Sequence, residues 1–200
     1  MLADGSSQAW MALDENQWEL LWAPYDESTY QVVMAEVRPE DVVLEIGAGD
    51  LRLARRLAKL ACRVEAIEIQ PDLSERLPDD PANLIVHYGD AQRLPFPKDV
   101  SLAVLLMRHC QHFRLYTEKL RAVGCRRLAT NARWRMGVEI IDLIAPRQSY
   151  LESRPGWYAC WCGAVGFKPG PVEDIQPELD QIINEINICP DCCPALWEAA

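Results

Sequence analysis

The chain has 200 residues, half of them apolar and a quarter charged, with a formal net charge of −10. That composition excludes a disordered chain and allows one sizeable core, or a core plus a small appendage. Residues 1–20 carry no basic head or continuous apolar run, and the longest apolar stretch, 102–107, is far short of a membrane span, so a soluble, cytoplasmic protein with no membrane partner is expected. The acidity disfavours a nucleic-acid partner without excluding one, because a negative field repels phosphates unless a basic patch overrides it. Two arginine clusters (Arg52, Arg55, Arg56 with Lys59, and Arg126, Arg127, Arg133, Arg135) read first as solvated faces.

Three regions follow one another. Residues 1–40 read as helical: Met11, Trp18, Leu21 and Trp22 share a face at helical spacing, and Ser28 or Thr29 could cap a second helix running to about Val37. Residues 41–145 alternate strand and helix signals, with strands expected at 42–46, 63–69, 83–87, 100–107 and 126–130 and helices at 51–60, 71–77 and 114–123. This order predicts a Rossmann-like α/β fold, a doubly wound, mostly parallel sheet with right-handed crossovers. Segment 136–143 fits either strand or helix. Residues 146–200 differ: Pro, Gly and Cys rise, turns are marked at Pro155-Gly156 and Cys189-Pro190, and 177–188 reads as one helix. This reads as a small Cys-rich module.

The informative stretch is VLEIGAGD at 43–50, where a strand runs into Gly47 and Gly49 and a helix begins just beyond. Glycines there let the backbone turn sharply and let a ligand approach the main chain, while the helix presents free N–H groups. Glu68 ends the next strand, 21 residues beyond Gly47, a spacing at which a carboxylate can accept both hydroxyls of a ribose. Gly89-Asp90-Ala91 follows the third strand, where an acid can accept an exocyclic amino hydrogen of adenine.

These three elements in this order resemble the class I S-adenosylmethionine (SAM)-dependent methyltransferases. EIGAG, VEAIEIQPDL and NLIVHYGDAQRLPFP are closest to the ribosomal RNA adenine dimethylase branch, over roughly residues 25–131. The resemblance implies SAM as cofactor. Gly47 and Gly49 would face its methionine part, and Glu45 would orient the loop or the amino group. Glu68 would hold the ribose, and Asp90 with Ala91 the adenine. Tyr25 and Tyr30 fall where the family's N-terminal segment covers the methionine end. Two positions depart from the pattern. Leu51 stands where the family often has a third glycine, and Met107-Arg108-His109-Cys110 stands where adenine dimethylases carry an Asn-x-Pro-aromatic motif. A dinucleotide fold for NAD would want a glycine at Arg52, which would crowd the helix against the strand. Near the expected acceptor edge, His109 and His112 are the titratable groups, and Asn131 could hydrogen-bond a substrate; no single catalytic residue is singled out.

Five of the eight cysteines fall within residues 160–200. Cys160-x-Cys162 and Cys189-x2-Cys192 suit four thiolates around a structural zinc, with iron as the second choice and Cys193 as a rival fourth ligand. The functional expectation is a methyltransferase acting on RNA, a small molecule or a protein. The alternative is a degenerate methyltransferase fold acting as a protein-interaction module.

Overall fold

Six of the strands join one sheet. In the computed structural model, Val42–Ile46 (β1), Arg63–Glu68 (β2), Leu84–Tyr88 (β3), Leu102–Leu105 (β4), Arg127–Thr130 (β5) and Glu139–Asp142 (β6) lie in the order β3-β2-β1-β4-β5-β6. All neighbours are parallel except β5 and β6. The structure describes residues 24–74, 77–108, 110–133, 137–171 and 183–196. The helical reading of residues 1–23, together with His109 and Arg135, lies outside them.

Alternation along the strands assigns the two faces. Val43, Val64, Ala66, Leu84, Val104 and Ala129 pack with Tyr30 and Val33 of helix α1 (Glu27–Ala35) and with Leu53, Ala54 and Leu57 of α2 (Arg52–Leu57). Leu44, Ile46, Ile67, Ala103, Leu105 and Leu128 pack on the other face with Phe113, Tyr116 and Leu120 of α3 (Phe113–Ala122). Helices on both faces of a mostly parallel sheet give the expected Rossmann-like, doubly wound α/β fold. Among the described residues, no helix is long and apolar enough to cross a membrane.

Several local expectations are corrected. α1 is capped by Asp26, not Ser28 or Thr29: the Asp26 carboxylate accepts the Thr29 N–H at 2.8 Å, so Thr29 already lies inside the first turn. Of the helix expected at 71–77, the described residues form a 3-10 turn, Pro71–Leu73, where the Ser74 hydroxyl turns back onto the Pro71 carbonyl; residues 75 and 76 lie outside the described residues. The undecided segment 136–143 contains the strand β6. The helix expected over 177–188 fails at its end: Asn184–Ile186 is a strand, β9, which pairs parallel with Gly156–Cys160 (β7), while residues 177–182 lie outside the described residues. Asn184 and Ile186 are buried on alternate positions, and that period of two outweighs the helical pattern. With Val165–Lys168 (β8), these strands make a second sheet in the order β8-β7-β9.

The second sheet is tied to the first by charge. Arg133, just past β5, has a side chain with 0% exposure that donates to Glu139 on β6 and Glu185 on β9. The knuckle after β7 also rests on α3, where a Cβ at Gly163 would come within 3.1 Å of Phe113 Cβ.

Candidate functional site

The carboxyl ends of β1, β2 and β3 carry the acids singled out in the sequence. β1 ends in a turn through Gly47 and Gly49, with φ of +73° and +56°, which glycine adopts without strain. A side chain at Gly47 would also bring its Cβ to 3.0 Å from Met107 Cε, beyond β4. Glu68 closes the turn from the next strand: one carboxylate oxygen accepts the Gly49 N–H at 2.7 Å and the other the Gln70 N–H at 2.8 Å. A carboxylate offers about four lone-pair sites, so both oxygens keep capacity for a ligand hydroxyl.

Glu45 lies on the same face two residues before Gly47. It is 5% exposed, and its Oε2 has no hydrogen-bond partner among the described residues. Burial, then the nearby charges of Asp50 and Glu68, push its carboxyl well above the usual range. An enclosed acid with a free oxygen is suited to a cationic donor. Asp90 follows β3 and folds onto its own turn, its carboxylate accepting the Gln92 N–H at 2.8 Å. Ala91 is buried beside it.

A residue not singled out in the sequence organises that turn. Lys119 reaches from α3 and donates to the carbonyls of Ala91, Gln92 and Leu94, with its ammonium 4.1 Å from the centre of the Phe96 ring. Three donors meet three acceptors, so the loop beside Asp90 is pinned to the helix. The readable signal was its place three residues after buried Tyr116, on the inward side of α3.

Leu51, at the place of the family's third glycine, adopts the left-handed region with φ +65°. Its side chain turns into the core beside Leu53 and Leu57 instead of into the turn. Tyr25 and Tyr30 sit on the α1 side; the Tyr25 hydroxyl accepts the Arg108 N–H, and the Tyr30 hydroxyl accepts the Tyr25 N–H. His112 precedes α3 at its cap position and stacks edge-on against Tyr116 at 6.2 Å. Five members of the arginine clusters are drawn into ion pairs: Arg52 with Asp50, Arg55 with Asp80, Arg56 with Glu27, Arg127 with Asp41 and Arg133 with Glu139 and Glu185.

The second constellation is the cysteine cluster. Sulfur atoms of Cys160, Cys162, Cys189 and Cys192 lie within 4.8 Å of one another. The separations Cys160–Cys192, Cys162–Cys189 and Cys189–Cys192 are 3.9, 3.6 and 3.7 Å. A tetrahedral ion with metal–sulfur bonds of about 2.3 Å sets its sulfurs about 3.8 Å apart, so the donor set fits zinc. Cys193 stands outside the cluster, its N–H donating to the Cys189 carbonyl at 2.9 Å. Burial pushes the Cys160 thiol up to about 12, so without a cation this thiol stays protonated at neutral pH.

Residues 26–118 match the family described as Ribosomal RNA adenine dimethylase. A probable ribosomal RNA small subunit methyltransferase A of Methanosarcina acetivorans is 44% identical over 70 residues, which is 34% of this chain and 26% of the relative. The protein of that name from Methanothermobacter thermautotrophicus is 30% identical over 178 residues, covering 74% of this chain and 63% of the relative. Among solved structures, the 23S rRNA methyltransferase ErmE is 26% identical with a TM-score of 0.43, covering 53% of this chain and 46% of that one. The chain therefore spans about a quarter of the first of these relatives' length and less than two thirds of the second.

Proposed function

Because this chain belongs to the class I SAM-dependent methyltransferases, we propose that it transfers a methyl group from SAM to a base in RNA. The observation that carries the cofactor part is the meeting of three acids at one sheet edge: Glu45, Glu68 and Asp90 end three adjacent parallel strands around the Gly47–Gly49 turn. In this reading Gly47 and Gly49 give the main chain close access to the methionine part. Glu45 receives the ammonium, Glu68 holds the ribose hydroxyls, and Asp90 with the Ala91 backbone holds the adenine. Bound SAM supplies an electrophilic methyl on a sulfonium, so the acceptor's lone pair forms the new bond to carbon while the C–S electrons return to sulfur and the acceptor releases its proton. The protein's share is alignment of that nucleophile and exclusion of water.

An RNA acceptor draws its support from the family matched by residues 26–118, and it implies a cytoplasmic location. Net charge and the internally paired arginines leave few phosphate contacts, so recognition rests on base edges and the salt dependence of binding is shallow. The cysteine cluster holds a structural zinc through Cys160, Cys162, Cys189 and Cys192, with iron as the competing outcome of metal analysis. All four ligands come from the protein, so the ion shapes the fold and takes no part in chemistry.

The test is transfer of label from tritiated SAM to small-subunit ribosomal RNA that lacks base methylation, with wild type beside Glu68→Ala. Incorporation into RNA that falls at least tenfold in the variant supports the reading. SAM binding without incorporation would shift the acceptor to a protein or small molecule. No SAM binding by the metal-loaded protein would make it an interaction module.

A further inference from the structure

Asn131 follows β5 at the carboxyl edge of the sheet and is 2% exposed. Among the described residues, neither its Oδ1 nor its Nδ2 has a hydrogen-bond partner. Buried amides without any partner are rare, and each calls for a reason. Poor local fit is not that reason, because the backbone is fixed on both sides. Before it, the Thr130 hydroxyl donates to the Leu105 carbonyl at 2.7 Å and accepts the Ala132 N–H at 3.0 Å. After it, Arg133 is held by Glu139 at 2.8 Å and Glu185 at 2.7 Å. A rigid frame thus presents an unsatisfied amide, as binding sites built on strand ends do.

The position is also that of a ligand site. Continuing the alternation of β5 puts Asn131 on the face of Ala129, and that residue aligns through Val104 with Glu45. Ligands of open α/β sheets bind beyond the carboxyl ends of the strands. Asn131 thus shares the edge and face of the proposed cofactor acid while lying two strands away, on the side where an acceptor must enter.

We propose that the Asn131 amide orients the methyl acceptor by pairing with a nucleobase edge that presents an amino group beside a ring nitrogen. This rests on the methyl-transfer reading above. An asparagine amide offers an acceptor and a donor side by side, the complement of adenine's N6 and its neighbouring ring nitrogen. The carbonyl takes one amino hydrogen and the NH2 group meets the ring nitrogen, which fixes the amino nitrogen's direction. An acceptor edge reaches the amide by displacing the side chains that enclose it.

The test compares wild type with Asn131→Leu and Asn131→Asp, each saturated with S-adenosylhomocysteine. Adenosine is titrated in while the Asn131 side-chain NH2 resonance of the wild type is followed, with N6,N6-dimethyladenosine as the control. The resonance is expected to move with adenosine and not with the control. Asn131→Leu is expected to melt at or above the wild-type temperature and to bind S-adenosylhomocysteine equally, while tritium transfer to RNA falls at least tenfold. Asn131→Asp is expected to lose transfer as well, because it lacks the donor. An unmoved resonance, or an Asn131→Leu variant that loses both stability and cofactor affinity, overturns the proposal and makes Asn131 a structural residue. A wild type that transfers no methyl to RNA while its Asn131 resonance moves sinks the activity and leaves this site standing.

Discussion

The carboxylate of Glu68 accepts the backbone N–H of Gly49 at 2.7 Å, so the acid at the end of β2 and the glycine turn after β1 form one unit. Its other oxygen accepts the Gln70 N–H. Hydrogen bonds to a charged group contribute roughly 1.5–3 kcal/mol each. Glu68→Ala removes two of them along with any ribose contact. The expected outcome is a dissociation constant for SAM at least tenfold larger, by calorimetric titration, together with a lower melting temperature. Glu68→Gln keeps a carbonyl oxygen for one N–H and is expected to fall between the two. A variant that melts early yet binds SAM normally would reduce Glu68 to a brace for the loop.

Glu45 makes the opposite prediction for stability. Burial and the charges of Asp50 and Glu68 raise its folded-state pKa above the ordinary 4.5. A group with a raised folded pKa contributes stability that is fully present below the unfolded value and is lost as pH rises through the folded one. At pH 7 the wild type is therefore carrying an unfavourable buried acid. Glu45→Gln is expected to be more stable at pH 7, on the order of 1–3 kcal/mol, with the gain shrinking toward pH 4. The same variant is expected to bind SAM more weakly, since the ammonium loses its counter-charge. Melting curves across pH, beside titrations at pH 7, check both signs, and an unchanged melting temperature at pH 7 would mean that Glu45 is already neutralised by another group.

How much of this was legible in the sequence differs by element. The sheet and its helices were, because β1 to β5 each carry apolar residues at alternate or successive positions and α2 and α3 carry one apolar face. β6 was not, since its burial alternates weakly on an edge strand. β9 was misread because its alternation runs over only three residues and is visible in their burial, not in the residue types beside the helical pattern around it. At the candidate site, the acids and glycines were readable from spacing. Lys119 was readable only as an inward position on α3 and not as a brace, because that role depends on a loop far from it in sequence. The choice between Cys192 and Cys193 was equally invisible: adjacent residues differ only in which way the chain turns them.

That choice is directly testable. Cys192 lies with the other three sulfurs, whereas Cys193 engages the Cys189 carbonyl through its backbone. Cys193→Ser is expected to keep one zinc per chain, and Cys192→Ser to lose it, by metal analysis of the purified proteins. Chelation is expected to release the stability that the ion lends the small β7–β9 sheet and to change Trp161 fluorescence. Trp161 reports on this region because the Arg147 guanidinium stacks 3.5 Å from its ring centre and that of Arg121 lies 4.7 Å away. Retention of zinc by Cys192→Ser would show that Cys193 can swing in as the fourth ligand.

Arg133 decides whether the two sheets act as one body. Its enclosed guanidinium meets Glu139 at 2.8 Å and Glu185 at 2.7 Å and lies over the Phe113 ring, 5.5 Å from its centre. Burial alone would lower its pKa, but the hydrogen bonds to Glu139 and Glu185 outweigh that and raise it further. Removing one side of a buried ion network costs roughly 3–5 kcal/mol, because the partners keep their charge without compensation. Arg133→Ala is expected to lose about that much in denaturant unfolding. Arg133→Lys is expected to recover only part of it, since an ammonium lacks the planar fork that reaches two carboxylates at once. Arg133→Met combined with Glu139→Gln is expected to restore most of the loss, because Glu185 keeps the enclosed Arg147, which it meets at 2.6 Å, as its partner and no unpaired charge is left inside. A double variant as unstable as Arg133→Ala would assign the loss to packing against Phe113, and the tie between the sheets would then be apolar, not ionic.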